Sequence, residues 1–272
     1  MNTPTRNGQG FVAGFLIGIL GGLIGLGGAE FRLPVLVGLF RLGTLEAIIL
    51  NKAMSLVVVA AALLFRGGTI SPGMLADHLD VVLNLLAGSL VGAWWAAGHA
   101  ITLSRQWLNR IVMVLLIGLS LVMLSEAWTD VHEGSAPLFE DGPLRLVAGV
   151  VAGLGIGMVA ALLGVAGGEL LIPAIVLLYG LDIKLAGSLS LMVSLPTMIV
   201  GFARYSRADA FKVLHKEKPL MGWMVGGSIL GAAIGGMLLG LVPPGALMGV
   251  LGVVLLLSAV KTFQHAVRGT EC

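Results

Sequence analysis

The chain has 272 residues, a net charge of +2 and a single cysteine. Its hydrophobic fraction is 57% and its charged fraction 11%, against about 25% charged in an ordinary soluble domain, and its mean hydropathy is +1.02. These values exclude a soluble globular domain, give no reason to expect a nucleic-acid partner, and leave no alternating ten-residue segments from which to build a transmembrane β-barrel.

In chain order, apolar runs predict helices near Gly10–Gly27, Leu45–Phe65, Leu79–Ala100 and Leu108–Trp128. A second set follows near Leu144–Val165, Ala186–Ala203, Leu220–Leu241 and Ala246–Phe263. A bilayer core about 30 Å thick needs about 20 apolar residues in a helix, so each of these is a candidate span. The first run follows Arg6 as a signal peptide would, but it lacks a small-x-small cleavage site and recurs later, so we read it as a retained span. Two shorter apolar pieces, Phe31–Phe40 and Leu170–Tyr179, are too short to cross at 1.5 Å per residue. The predicted fold is an all-α polytopic membrane protein with about eight transmembrane helices in two homologous repeats with broken or re-entrant segments. The repeats are residues 1–128 and 143–272, joined by an acidic linker, 129–142.

An offset of 139 residues aligns the halves without a gap. Gly10, Gly14 and Gly18 fall on Gly149, Gly153 and Gly157, and Gly25, Gly28, Glu30 and Pro34 fall on Gly164, Gly167, Glu169 and Pro173. Ala47 and Ser55 meet Ala186 and Ser194, and Gly88, Ser89 and Gly92 meet Gly227, Ser228 and Gly231. A glutamate and a proline in register argue for duplication rather than chance among glycines. Duplicated membrane chains with broken helices recur among transporters, with the site near the midplane where the repeats meet.

Gly25–Pro34 and Gly164–Pro173 are poor material for a continuous span. Glycine weakens a helix by about 1 kcal/mol relative to alanine, and proline removes a backbone donor. The expected geometry is a span ending near Gly27, an unwound turn, and a half-helix starting near Phe31 with proline in its first turn. Its backbone N–H groups and positive dipole end suit an anion. Glu30 and Glu169 admit two roles there, capping the helix or serving proton coupling and gating.

Arg32 and Lys52 have apolar partners in the second half, Leu171 and Leu191. A charge at a span centre costs about 2.5–3.5 kcal/mol on insertion scales, so charges in one half alone point to an asymmetric site for a small anionic solute. Pairing with Glu30 or Glu46 is the structural alternative. Asn51 with Ser55, and Ser190 with Ser194, share a helix face by i, i+4 spacing and line the route or bridge helices. The candidate substrate-binding set is Gly27, Gly28, Glu30, Arg32, Asn51, Lys52, Ser55, Gly167, Gly168, Glu169, Ser190 and Ser194. No catalytic residue is expected, nor a metal or cofactor, because the histidines show no ligand spacing and no P-loop is present. Gly88-x-x-x-Gly92 and Gly227-x-x-x-Gly231 predict tight helix packing, and Trp94, Trp95, Trp107, Trp128 and Trp223 predict interface belts.

These motifs resemble those of the sulfite exporter TauE/SafE family of membrane permeases, whose mark is a Gly-h-Gly-Gly-Gly-x-h-h-h-Pro segment once per half. Gly25–Pro34 departs from it in Ala29 and Arg32, and Gly164–Pro173 in Ala166. The resemblance covers residues 10–263 and implies secondary transport, often outward, of sulfite, an organosulfonate or a related sulfur oxyanion by alternating access. The alternatives are a cation or proton antiporter working through Glu30 and Glu169, or a non-transporting membrane partner. Protons as a coupled ion, the lipid bilayer and a homo-oligomer complete the expected partners. The expected location is a bacterial-type inner (plasma) membrane, multi-pass. If both short pieces are re-entrant between four crossings per half, ten basic residues, Arg6, Arg66, Arg145, Arg204 and Arg207 among them, face four, Arg41, Arg105, Arg110 and Lys184. That balance puts both termini in the cytoplasm. A hairpin formed by the first helix and the short piece would instead invert the repeats.

Overall fold

A computed structural model describes residues 3–24, 28–66, 77–128, 137–139, 142–181, 183–237, 249, 252–257 and 259–260. Among these there is no strand, in keeping with the all-α expectation. The helices are α1 (Thr3–Ile24), α2 (Ala29–Gly38), α3 (Thr44–Arg66), α4 (Leu79–Thr102), α5 (Arg105–Trp128), α6 (Pro143–Leu163), α7 (Gly168–Tyr179) and α8 (Ile183–Tyr205). A 3-10 turn (Asp209–Lys212), a single helical turn α9 (Val213–Lys216) and α10 (Lys218–Met237) follow. Of the last expected helix, the described residues 249, 252–257 and 259–260 are helical, and nearly all of the acidic linker lies outside the described residues.

Among the described residues, Leu79–Thr102, Arg105–Ser125, Pro143–Leu163 and Leu185–Tyr205 are long and apolar enough to cross a membrane. Their outward faces carry Leu83, Val91, Val114, Val151 and Ile199, all exposed. In water such surface would be an aggregation hazard; in a bilayer it is the lipid face.

The chain divides into two compact units, and each draws on both sequence halves. The first comprises 1–55, 100–130 and 208–272; the second comprises 56–99 and 131–207. In the first, α1 lies on α10. A Cβ on Gly14 or Gly18 would overlap the backbone of Met224 or Ser228, and one on Gly227 or Gly231 would overlap that of Phe11 or Phe15. Both helices contribute glycines to this seam, so their backbones touch. In the second unit α6 lies on α4 in the same way, with Gly153 and Gly157 on Leu85 and Ser89, and Gly88 and Gly92 on Val150 and Leu154. Every one of these contacts recurs at the 139-residue offset. Close approach through small residues is how helices associate where lipid removes the hydrophobic drive.

The broken segments form hairpins. In the first unit a Cβ on Gly28 would stand 2.7 Å from the Ile17 carbonyl oxygen, so α2 begins beside the inner part of α1. It ends near where α1 began, with the Arg6 guanidinium 5.9 Å from the centre of the Phe40 ring. In the second unit Gly167 faces Ala160 and Ile156 of α6. The Arg145 guanidinium lies 5.3 Å from the Tyr179 ring, and the Tyr179 hydroxyl accepts from Asn84 Nδ2 at 2.9 Å. The reason is length. Helices of 10 and 12 residues extend only about 15–18 Å, so each starts part-way along its neighbour and runs back. Each half therefore opens with a long helix and a short one that runs back along it, the hairpin arrangement that was the second of the two expected topologies.

Candidate functional site

Both breaks are made by glycines that L-residues replace poorly. Gly28 at φ 64° caps α2, and Gly167 at φ 81° caps α7. Gly164, at φ 69°, closes the C-terminus of α6. These left-handed conformations cost a residue with a Cβ about 1–2 kcal/mol. The helices start earlier than expected, at Ala29 and Gly168, so Pro34 and Pro173 stand inside them rather than in the first turn. Each proline lacks the N–H that would bond four residues back, which places the interrupted helical bond at the carbonyls of Glu30 and Glu169. Gly27 lies outside the described residues.

In the first unit, Glu30 and Arg32 of α2 and Asn51, Lys52 and Ser55 of α3 are all buried, and two hydrogen bonds join the two helices. Arg32 Nη2 donates to Ser55 Oγ at 2.9 Å, and Asn51 Nδ2 donates to the Ala29 carbonyl at 2.9 Å. Asn51 thereby holds the first residue of the half-helix, and Ser55 holds the guanidinium one turn farther along α3. Lys52 lies eight residues into α3, about 12 Å from its start by helical rise. Lys52 is one turn from Ser55, on the face that serves Arg32. Glu46 accepts instead from the Gly43 N–H at 3.1 Å, as an acid in a capping box does. Its carboxylate is thereby directed to the start of α3.

The second unit repeats the backbone and the acid but has leucines in place of the two cations. Glu169, Ser190 and Ser194 are buried. Leu171, at the position of Arg32, is in an apolar cluster with Leu85, Ile156, Ile175 and Leu189. Leu191, at the position of Lys52, packs on Val59, Ala166 and Met198. Ser190 Oγ donates to the Gly187 carbonyl at 2.9 Å, a local bond within its helix. Ser194 Oγ, the counterpart of Ser55, is buried without a hydrogen-bond partner among the described residues.

Two contributions were not anticipated. The buried Tyr205 hydroxyl donates to the Ala161 carbonyl at 3.0 Å, satisfying a C-terminal carbonyl of α6 beside its break. Ser89 Oγ and Thr197 Oγ1, 2.7 Å apart, tie α4 to α8. The one available signal was scarcity: the chain has two tyrosines, and both hydroxyls are used inside this unit.

A sequence model described as "Sulfite exporter TauE/SafE" matches residues 10–262. The chain belongs to the sulfite exporter TauE/SafE family. No curated protein and no solved structure matches it. The family description is that of a membrane transporter, which agrees with the apolar helices, and TauE/SafE membership extends over both hairpins and both glycine seams. Among the described residues, the buried lysine and arginine side chains are Arg32 of α2 and Lys52 of α3.

Proposed function

We propose that this protein is a secondary transporter, an exporter, of a small sulfur oxyanion such as sulfite or an organosulfonate. The substrate is bound beside α2 by Arg32, with Lys52, Asn51 and Ser55 completing the polar surface. The observation that carries the reading is the full burial of Arg32 and Lys52 in a chain of apolar helices, where buried charges are costly and mark transport pathways. A guanidinium offers a planar fork that matches two oxygens of an oxyanion. The N-terminus of α2 adds backbone N–H groups and a positive dipole end. Gly28 and Glu30 belong to the same proposal as the backbone turn and the acid beside that surface, and Gly167, Gly168, Glu169, Ser190 and Ser194 as the matching break of the second unit.

Reconstitution into liposomes with a sulfite gradient tests it. Sulfite efflux is expected from the native protein and a loss of at least tenfold from Arg32→Ala; unchanged efflux in that variant removes the site. A second reading has its own support, since Glu30 and Glu169 are buried at matching helix starts. In it they exchange protons or cations and Arg32 only balances charge. Glu30→Gln combined with Glu169→Gln would then abolish exchange while Arg32→Ala would not.

The hairpins also bear on orientation. With each hairpin returning to its own side, three crossings remain in the first half, and an odd number inverts the second half. One side then holds Arg6, Arg41, Arg105, Arg110, Arg204, Arg207, Lys212, Lys216, Lys218, Lys261 and Arg268; the other holds Arg66, Arg145 and Lys184. Eleven against three supports a cytoplasmic N-terminus, and the proposed location is a bacterial-type inner membrane.

A further inference from the structure

At one end of the second unit, two arginines share one indole. The Arg204 guanidinium lies 4.9 Å from the centre of the Trp94 ring, and that of Arg207 lies 5.8 Å from it. Gly98, one turn beyond Trp94, makes this possible. A Cβ there would come within 2.9 Å of Arg204 Nε and 3.0 Å of its Nη2, so the guanidinium lies against bare helix backbone. Arg204 Nε is buried with no hydrogen-bond partner among the described residues. The carboxylate two residues past Arg207, Asp209, is engaged by Lys212 at 3.2 Å. Trp94 and the neighbouring Trp95 are about half exposed, and Trp95 stacks on His99 with ring centres 4.1 Å apart.

Two like charges on one ring repel each other, and a π face satisfies a cation's charge but not its N–H donors. What this arrangement lacks is an anion. Arg204 and Arg207 stand at and just beyond the C-terminal end of α8, and Trp94 lies about two turns before that of α4; tryptophan and arginine near the ends of apolar helices suit the depth of lipid headgroups. Basic clusters at this depth recognise anionic headgroups, and each basic residue contributes about 1 kcal/mol.

The geometry points to a binding site for the phosphodiester of an anionic phospholipid, held between Arg204 and Arg207 with Trp94 as its floor and acyl chains along the exposed apolar face of α4. This site is separate from the Arg32 cluster and does not depend on what the protein transports.

The test uses the full-length protein in detergent, with phosphatidylglycerol, phosphatidylcholine or inorganic phosphate added, and reads retained lipid by native mass spectrometry and stability by thermal unfolding. Phosphatidylglycerol is expected to be retained and to raise the unfolding temperature, while phosphatidylcholine and inorganic phosphate do neither. Arg207→Gln, an exposed and conservative change, should weaken phosphatidylglycerol binding about fivefold, the equivalent of about 1 kcal/mol. Arg204→Gln with Arg207→Gln should weaken it further, and Arg204→Lys with Arg207→Lys should restore most of the retention. Equal retention by native protein and Arg207→Gln overturns the proposal. Stabilisation by inorganic phosphate equal to that by phosphatidylglycerol also overturns it, in favour of a soluble-anion site.

Discussion

Ser55 and Ser194 hold matching places on α3 and α8, and only Ser55 has a guanidinium to bond, 2.9 Å away. Leu171 stands where the donor to Ser194 would be, and leaves that hydroxyl buried and unbonded among the described residues. One helix break thus serves a polar cluster in the first unit and an apolar core in the second. The difference comes from two substitutions, Arg32 against Leu171 and Lys52 against Leu191.

This pair gives opposite expectations for one chemical change. Ser55→Ala removes an acceptor from a buried cation, at a cost of about 1.5–3 kcal/mol, and should lower both thermal stability and sulfite efflux. Ser194→Ala removes a hydroxyl whose burial is uncompensated, and should be neutral or stabilising by up to about 1 kcal/mol. Thermal unfolding of the purified variants decides between them; equal losses would mean that the two hydroxyls serve the fold alike.

The capping glycines differ in the same direction. Gly28→Ala combines a left-handed backbone with a Cβ 2.7 Å from the Ile17 carbonyl oxygen, and backbone does not yield cheaply. Gly167→Ala has its nearest neighbours at 3.2 and 3.3 Å, both side-chain carbons. Gly167→Ala should therefore cost about 1–2 kcal/mol from the backbone, and Gly28→Ala more. The measurement is the yield of monodisperse protein and its unfolding temperature, with Gly28→Ala expected to be the lower in both.

Much of this was legible in the sequence because membrane helices are constrained by length and by backbone satisfaction. The apolar runs from Leu45 to Ala203 marked helices to within about three residues at each end, the 139-residue offset marked the glycine seams, and the unmatched charges Arg32 and Lys52 proved to be buried. What the sequence hid was direction. A ten-residue apolar piece reads alike whether it continues outward or folds back, and only the neighbours of Phe40 and Tyr179 decide. Partnership across the halves was hidden too, since the composition of Gly88-x-x-x-Gly92 says that a helix comes close but not that it is α6. The prolines misled slightly, because one residue of left-handed glycine sufficed to start each helix and left Pro34 and Pro173 in its interior.

Arg41 is the one residue other than glycine with positive φ among the described residues, at 54°, where the second half has Gly180 at 67°. Arg41→Gly should relieve about 1 kcal/mol of backbone strain while removing an exposed charge. Its unfolding temperature should equal or exceed that of the native protein. The reciprocal change, Gly180→Ala, should lower it by a similar energy. A clear loss of stability in Arg41→Gly would show that the side chain contributes more than its backbone costs.

The hairpins make a topological prediction that needs no substrate. Asp182 lies outside the described residues and Gly43 precedes α3, so each reports the connection that follows its short helix. If both hairpins return to the side from which they started, and three crossings separate them, cysteines at 43 and 182 lie on opposite sides of the membrane. If each half crossed four times, both would lie on the same side. Cysteine substitutions at these two positions, made after Cys272→Ser removes the native thiol, can be probed with an impermeant maleimide in right-side-out and inverted vesicles. Opposite labelling is expected, with position 43 reacting only in inverted vesicles because it shares the cytoplasmic side with Arg6. Labelling of both positions from one side would return the repeats to a parallel arrangement and remove the charge argument for a cytoplasmic N-terminus.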